Sequence, residues 1–459
     1  MTSFQPPITK NPWTDQLRYI PNTQAVEADM LASIGVESYA ELLANIPEKL
    51  QQEFDLPVGK SLSEIEVSRL LQTLSEQNSP ATGQISFLGG GSYDHFIPSL
   101  IPALVMRSEF YTAYTPYQAE VSQGTLQAMY EYQSMICEIS GMDVANASLY
   151  DGASAVAEAC LMAGNSTRNN LILISSGLYH NYRQVVETYL QYSGLTLEIL
   201  SESDGRLALD TLQKYDLDEV AAVVVQSPNR LGLIEDWAAV GELCQDKRAW
   251  FVAVGDPLAL GLFTTPGECA ADVYAGEGQV LGNTQSFGGP GLGLFATCQK
   301  HVRKMPGRIV GATTDVDGNP GFVLALQTRE QHIRRERATS NICTNQGLMA
   351  LSAAIYLSLI GKNGFSKLAN LCFQKAHYCA DQIDQITGFR LAHDQGFFKE
   401  FIVKCPRPAT NIITDGQAQG ILAGTTVNED PTLLRIAVTE KRTRQDIDRL
   451  VEFLRTQTS

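Results

Sequence analysis

The chain has 459 residues, a formal net charge of −16 at pH 7, 44% hydrophobic residues and 18% charged residues. This length predicts two or three domains, and the composition is typical of a packed enzyme and not of a disordered chain. The negative charge argues against non-specific nucleic-acid binding, because phosphates would be repelled.

The nine cysteines stand singly, without a CxxC pair. This spacing indicates reduced thiols, not a disulfide framework or a zinc site. The first residues lack the charged-then-apolar pattern of a signal peptide, and we expect no run long enough to span a membrane. The sequence therefore predicts a cytoplasmic protein that binds no metal and no membrane.

Residues 1–82 predict a polar helical arm that is interrupted by prolines. Ser61 and Glu64 have the spacing of a capping box, and one apolar helix face follows them. A plain helical extension of the neighbouring domain is an equally good interpretation.

A glycine turn and a group of polar aromatic residues come next. Gly89–Gly91 predicts a flexible turn, and Tyr93 and His95 follow it directly. A tyrosine-rich loop then leads into a helix predicted over 124–140. We expect these side chains to form a ligand-site wall or an interface, although the residues alone slightly favour a structural tyrosine cluster. The candidates in the loop are Tyr114, Tyr117, Gln118, Glu120, Ser122 and Gln123.

Short apolar runs then alternate with helix-like segments. The runs cover residues 171–174, 195–200, 220–225 and 250–254. Continuous apolar strands between helices are typical of a buried, largely parallel sheet. Asp256 follows the last run, where such a sheet places its ligand crevice. A solvated Asp beside a glycine turn is the alternative.

The last third of the chain predicts a smaller α+β domain. A helix from Gln346 to about Gly361 leads to a second helix over 365–385, strands near 397–403 and 433–438, and a final helix that begins near Thr443. We expect domains over 1–82, 83–326 and 327–459.

Three stretches resemble the P-protein of the glycine cleavage system, a glycine decarboxylase that depends on pyridoxal phosphate (PLP). They are YTPYQAEVSQG (114–124), ANASLYDGASAVAEA (145–159) and REQHIRRERATSNICTNQ (329–346). The resemblance implies an α/β PLP-dependent transferase of fold type I. Such a chain has a large domain with a mostly parallel, seven-stranded sheet, a smaller C-terminal α+β domain and an N-terminal helical arm.

The same resemblance locates the cofactor positions. In this fold an Asp pairs with the pyridinium nitrogen and a Lys holds PLP. Asp256 takes the first position, but Gln285 stands where the Lys is expected, and a Gln has no amine. Tyr179 stands where a ring-stacking His is expected, Ser154 lies near the phosphate end, and Asn229 lines the crevice. We therefore expect a vestigial crevice here, with PLP on a partner chain.

A chain without that lysine is similar to the N-terminal half of the P-protein, which in some organisms is a separate subunit 1. With a lysine-bearing subunit 2, the resemblance implies glycine dehydrogenase (decarboxylating) activity: CO2 is released, and the aminomethyl group passes to the lipoyl arm of H-protein. It also implies a heterotetramer of two plus two. Thr339, Ser340 and Asn341 would approach the shared site.

Two other functions stay open on the residues. One is an independent PLP-fold enzyme of the aminotransferase kind, and the other is a non-catalytic regulatory or scaffold subunit.

Overall fold

The computed structural model describes residues 23–51, 62–80, 83–327, 330–428 and 430–458. Contacts divide the chain into two compact units, Met1–Asn78 and Ser79–Ser459. The three domains expected from the sequence stay a prediction. Arg329, the first residue of the third matching stretch, lies outside the described residues.

The first unit is helical where it is described. Its helices are α1 (Gln24–Ile34), α2 (Tyr39–Leu42) and α3 (Glu64–Ser75). The capping box of α3 lies two residues later than predicted, because Glu66 accepts a hydrogen bond from the N–H of Ser63 at 2.8 Å; Ser61 lies outside the described residues. The described residues of these helices include no buried side chain.

The second unit contains the remaining helices and all the described strands. Its helices are α4 (Leu100–Val105), α5 (Ser108–Tyr111), α6 (Gln123–Ser140), α7 (Gly152–Thr167), α8 (His180–Leu190), α9 (Leu209–Leu212), α10 (Trp237–Cys244), α11 (Gln331–Arg334), α12 (Gly347–Asp384), α13 (Ala409–Ala418) and α14 (Arg444–Arg455). Its strands are β1 (Ile85–Ser86), β2 (Val144–Ala145), β3 (Leu171–Ser175), β4 (Thr196–Leu200), β5 (Glu202–Ser203), β6 (Arg206–Leu207), β7 (Val220–Gln226), β8 (Trp250–Val254), β9 (Val273–Glu277), β10 (Gly293–Thr297), β11 (Ile309–Thr314), β12 (Pro320–Ala325), β13 (Arg390–Leu391), β14 (Glu400–Lys404), β15 (Ile421–Leu422), β16 (Thr425–Thr426) and β17 (Leu433–Ala437).

The main sheet has seven strands in the order β2-β10-β9-β8-β7-β3-β4. Strands β4, β3, β7, β8 and β9 are mutually parallel, and β10 is antiparallel to both of its neighbours. The four predicted apolar runs form β3, β4, β7 and β8. Every residue of β7 and β8 is buried, which explains why these strands read as continuous apolar runs.

A second, smaller sheet is antiparallel, in the order β13-β14-β17-β16. The helix α14 packs over a separate apolar core that contains Phe401, Ile436 and Leu450. Thr443 caps α14 by accepting from the N–H of Asp446 at 3.1 Å, as the sequence predicted. This sheet faces the carboxyl ends of the main strands, so a crevice lies between the two.

The long helix α12 joins the two cores. It is interrupted at Gly361 (φ 60°), where the sequence predicted the end of one helix and the start of another. By length and composition it could cross a membrane, so the expectation of no such run is wrong for this segment. However, Ala353 and Cys372 pack in the core of the main sheet and Cys379 in the second core, which is the arrangement of a core helix.

Candidate functional site

Asp256 lies where the sequence predicted it, directly after β8 at the mouth of the crevice. Its Oδ1 accepts from the N–H of Leu258 at 3.0 Å. Its Oδ2 lies 2.6 Å from Nζ of Lys399, and no donor in the described part of the chain is aligned with Oδ2 as a hydrogen bond. The contact is therefore a short ion pair between two buried groups.

Lys399 is the residue of this site that sequence reasoning missed. Its side chain is almost fully buried and comes from the residue before β14, on the smaller sheet. The ammonium lies 3.9 Å from the ring centroid of Tyr93 and 2.8 Å from Nε2 of His95. A Lys within the apolar segment 397–403 was the available signal, because lysine is rarely buried without a partner.

His95 continues the chain of contacts. Since Lys399 can only donate, Nε2 of His95 accepts, and Nδ1 then carries the proton and donates to Oε2 of Glu440 at 2.6 Å. Burial and the neighbouring ammonium both lower the pKa of His95, which keeps the ring neutral. Burial alone would raise the pKa of Glu440, but the hydrogen bond from His95 outweighs burial and lowers that pKa to about 2.

Two tyrosines occupy the space between the sheets. The hydroxyls of Tyr93 and Tyr179 lie 2.9 Å apart, and the Tyr179 hydroxyl donates to Glu400 at 3.5 Å. Burial raises the pKa of both hydroxyls well above the usual range. Tyr93 and His95 are only 5% and 6% exposed, so of the two expected positions, a site wall or an interface, they lie in the wall of the crevice.

Glu400 and Arg435 form a further internal pair. Oε1 of Glu400 lies 3.5 Å from Nε of Arg435, and Oε2 accepts from the N–H of Gly90 at 2.6 Å. Burial raises the pKa of Glu400, and Arg435 opposes that rise. Arg435 also donates to the carbonyl of Arg230 at 2.9 Å, so its guanidinium is held by the chain itself.

The amino end of α7 is occupied by carboxylates. Oδ1 of Asp151 accepts from the N–H of Ser154 at 2.7 Å and so caps the helix. Oε2 of Glu277 accepts from the N–H of Gly152 at 2.9 Å, and its Oε1 accepts from the N–H groups of Gln279 and Leu292. A helix end of this kind binds a phosphate in many proteins, but here the N–H groups of Gly152 and Ser154 already have carboxylate partners.

The crevice does not fit PLP. The cavity that remains between Asp256, Tyr179 and Glu277 has a volume of about 30 Å³, which holds water but not a pyridine ring with a phosphate. Gln285 offers no amine, and its Nε2 donates to Oγ of Ser92 at 3.3 Å. Asn229 is fully buried and serves the fold, since it donates to Glu235 and accepts from the N–H groups of Leu231 and Leu233.

The loop candidates lie elsewhere, on the surface. Tyr114 is 88% exposed and Tyr117 63% exposed, while Gln118 and Glu120 are exposed and Ser122 is half-buried. Gln123 is not a free surface residue. Its side-chain amide donates to the carbonyl of Phe322 and accepts from the N–H of the same residue, which anchors the β11–β12 hairpin.

The loop that holds Thr339, Ser340 and Asn341 approaches this surface. Arg308 lies 5.8 Å from the centroid of the Tyr117 ring and donates to the carbonyl of Cys343 at 2.9 Å. A cavity of about 270 Å³ is lined by Tyr114, by Pro290 and by residues 344–349, which follow this loop in the chain. Phe287, three residues before Pro290, is fully exposed. We call Tyr114, Tyr117, Phe287 and the loop 339–346 the aromatic face.

Two groups of side chains in the described residues bring possible metal ligands together: His95, Cys372 and Glu440, and Asp272, Cys298 and His301. Both groups already have partners. Glu440 bonds His95, and Oδ1 of Asp272 contacts His301 at 3.0 Å and Lys300 at 2.8 Å. That the chain binds no metal stays a prediction.

A crevice between the carboxyl ends of a mostly parallel seven-stranded sheet and a small antiparallel domain defines a fold-type I PLP-dependent transferase. Solved structures confirm this class. Lactobacillus brevis glutamate decarboxylase is 12% identical with a TM-score of 0.66 over 92% of this chain and 96% of that one, a likeness of fold alone.

The sequence identifies the particular family. The family model described as "Glycine cleavage system P-protein" matches residues 17–454. A crystal structure of a glycine decarboxylase (P-protein) of the glycine cleavage system, in inhibitor-bound form, is 40% identical with a TM-score of 0.87, over 95% of this chain and 99% of that one. The chain belongs to the glycine cleavage system P-protein family.

Relatives of the same length carry a more specific description. The "Probable glycine dehydrogenase (decarboxylating) subunit 1" of Chlorobaculum parvum is 50% identical, over 95% of this chain and 99% of the relative. The protein of the same description from Chloroherpeton thalassium is 47% identical over the same shares. The similarity thus extends over nearly the whole of these subunit 1 chains.

Proposed function

We propose that this chain is the lysine-less subunit of a two-chain glycine decarboxylase. With a lysine-bearing subunit it decarboxylates glycine, releases CO2 and transfers the aminomethyl group to the lipoyl arm of H-protein. The observation that carries the proposal is the closed crevice: Asp256 is paired with Lys399, and Gln285 stands at the lysine position. A chain with this crevice needs a partner for the chemistry.

PLP, held by the partner, supplies the electron sink for decarboxylation. This chain contributes the aromatic face. Tyr114 and Tyr117 present hydroxyls to a neighbour, and Thr339, Ser340 and Asn341 lie on a loop held by Arg308. We assign these side chains to contacts with the partner and with the entrance of the shared site. Tyrosine is common at such surfaces because it joins apolar area to one polar atom.

The assembly we propose is a heterotetramer of two plus two in the cytoplasm. Its location is supported by the nine cysteines, all of which are free thiols. The exposed apolar side chains of the aromatic face support an interface, because monomers seldom expose a contiguous apolar patch without use.

Mixing tests the proposal. We expect neither chain alone to release CO2 from glycine with lipoylated H-protein and PLP, and the mixture to do so. Borohydride reduction followed by mass spectrometry should place the pyridoxyl label on the partner. A partner whose cofactor lysine is replaced by Ala is the control and should abolish turnover.

Other outcomes would decide between the alternatives. Turnover by this chain alone, with the label on one of its own lysines, would contradict the proposal and favour an independent PLP enzyme. A lysine-bearing partner that reaches full turnover without this chain, although the two assemble, would favour a regulatory or scaffold role.

A further inference from the structure

The three pairs at the crevice share one property, which is the sign of the charge on each internal partner. Asp256 faces the ammonium of Lys399, and a fold-type I enzyme presents a pyridinium to this Asp. The amino end of α7 faces the carboxylate of Glu277, where a phosphate would dock. Arg435, whose guanidinium would suit an anionic group of a ligand, faces the carboxylate of Glu400. Each partner has the sign of the group that it replaces.

We infer that Lys399, Glu277 and Glu400 are built-in substitutes for the charged groups of a cofactor and substrate, and that Lys399 and Arg435 latch the smaller antiparallel domain onto the main sheet in a permanently closed state. The chain would then fold without PLP and offer its partner a rigid surface. The inference concerns the isolated chain and does not depend on the assembly proposed above.

The origin of the partners supports a latch. Lys399 and Glu400 come from β14 or the residue before it, and Arg435 comes from β17, both on the smaller sheet. Two contacts reach the main-sheet side of the crevice: Lys399 pairs with Asp256, which follows β8, and Arg435 donates to the carbonyl of Arg230, in the loop after β7. An enzyme that admits a ligand between its domains leaves such charges open until the ligand arrives. Here Lys399 and Arg435 already reach across the crevice.

Backbone packing leaves little room for opening. A methyl group on Gly232 would lie 2.0 Å from the carbonyl oxygen of Glu400, and one on Gly89 would lie 2.7 Å from Cβ of Ala437. The loop that carries Gly89 is also tied to the smaller domain through Asp94, which pairs with Lys441 at 2.6 Å and with Arg442 at 3.1 Å. The charged pairs therefore close a joint that is also sterically tight.

The first test is ligand binding to the isolated full-length chain. The probe is pyridoxine 5′-phosphate, which has the ring nitrogen and the phosphate but no aldehyde, so surface lysines cannot capture it. Fluorescence titration should give no saturable binding to the wild-type chain. Saturable, stoichiometric binding would overturn the inference.

The second test asks whether Lys399 and Asp256 act as one unit. Lys399→Met leaves a buried carboxylate without its counter-charge, and we expect Tm to fall by roughly 5–10 °C. The double variant Asp256→Asn with Lys399→Met removes both charges and should recover most of that loss. Lys404→Met is the matched control, since Lys404 lies on the same strand in an exposed pair with Asp430 and should change Tm little.

Amide hydrogen exchange shows whether the pair of Lys399 and Asp256 holds the two domains together or only adds to the overall stability. In Lys399→Met, amides of the loop 89–97 and of β14 should exchange at least tenfold faster, whereas those of β7 should not change. Uniformly faster exchange, or a double variant no more stable than Lys399→Met, would overturn the latch. If Lys399→Met does not fold, the double variant and the titration of the wild-type chain still decide the question.

Discussion

The closed crevice and the aromatic face use their polar and aromatic side chains in opposite ways. Inside the crevice, Lys399 is buried and Glu277 is half-buried, and each has an internal partner. On the aromatic face, Tyr114 and Phe287 are exposed and largely free of the chain's own packing. Buried charges must be paired to be tolerated, whereas exposed aromatic groups need no partner to fold. In a crevice that holds no cofactor, the charged groups therefore have to pair with each other, whereas the aromatic groups of a surface for a neighbour can stay exposed.

The largest effect on stability is expected from a substitution of Glu277. Glu277→Ala leaves the N–H groups of Gly152, Gln279 and Leu292 buried without their acceptor. We expect a loss of about 3–6 kcal/mol in the free energy of unfolding, because each buried unpaired donor costs about 1–3 kcal/mol. Urea denaturation measures it.

Glu268→Ala is the matched control for that variant. Glu268 also accepts from a backbone N–H, that of Thr265, but on the surface, where water replaces the lost carboxylate. Its stability should stay close to wild type. Equal losses in the two variants would contradict the assignment of a filled phosphate position at α7.

The next largest effect is a pH dependence of stability that comes from Glu158. This buried residue of α7 forms a side-chain hydrogen bond with Ser340 on the aromatic face. Burial raises the pKa of Glu158 to about 7, and the bond from Ser340 lowers it in part. The folded chain therefore keeps a proton that an unfolded chain, with a pKa of about 4.3, releases. Stability due to this group is fully present below about pH 4 and is lost as the pH rises to 7.

Glu158→Gln should remove that pH dependence. At pH 8 we expect the variant to be more stable than the wild type by about 2–3 kcal/mol, because no buried charge has to form. Denaturation at pH 5 and at pH 8 makes the comparison. A variant that keeps the wild-type slope between these values would show that Glu158 does not titrate there.

The main sheet was predictable because burial and pattern coincide in it. Strands β7 and β8 are buried on both faces, so each forms an uninterrupted apolar run. The two helical parts of α12 were predictable as well, because Gly361, whose φ of 60° is not helical, marks the break between them.

The crevice was predictable only on the side of the main sheet. Asp256 and Asp151 follow or precede regular elements, so their positions can be read from the sequence. Lys399 could not be assigned in this way, because Asp256 is far from it in the chain and the two meet only across the crevice. Glu277 was missed because its partner Gly152 is also far away in the chain, on a helix beside the main sheet. For Tyr93 and His95 the sequence left a site wall and an interface both open, because it does not show which side of the glycine turn faces inward.

The aromatic face gives the third effect, on assembly. Phe287 is fully exposed in a left-handed turn (φ 58°), three residues before Pro290, which lines the same cavity as Tyr114. We expect Phe287→Ala to raise the Kd for the lysine-bearing partner about tenfold, since aromatic anchors at interfaces contribute about 1–2 kcal/mol or more. Isothermal calorimetry measures it. Tyr192→Ala, at an aromatic residue that is 91% exposed after α8, is the control and should leave Kd unchanged.

The smallest effect is expected from single hydroxyls of the aromatic face. Tyr114→Phe or Tyr117→Phe removes one hydrogen-bonding group and keeps the ring, so assembly with the lysine-bearing partner should stay intact. Turnover of glycine by the reconstituted pair should fall several-fold, because one lost hydrogen bond is worth about 1 kcal/mol. Tyr192→Phe should have no effect. Unchanged kcat in both variants would remove these hydroxyls from the shared site and leave the aromatic face with a role in binding alone.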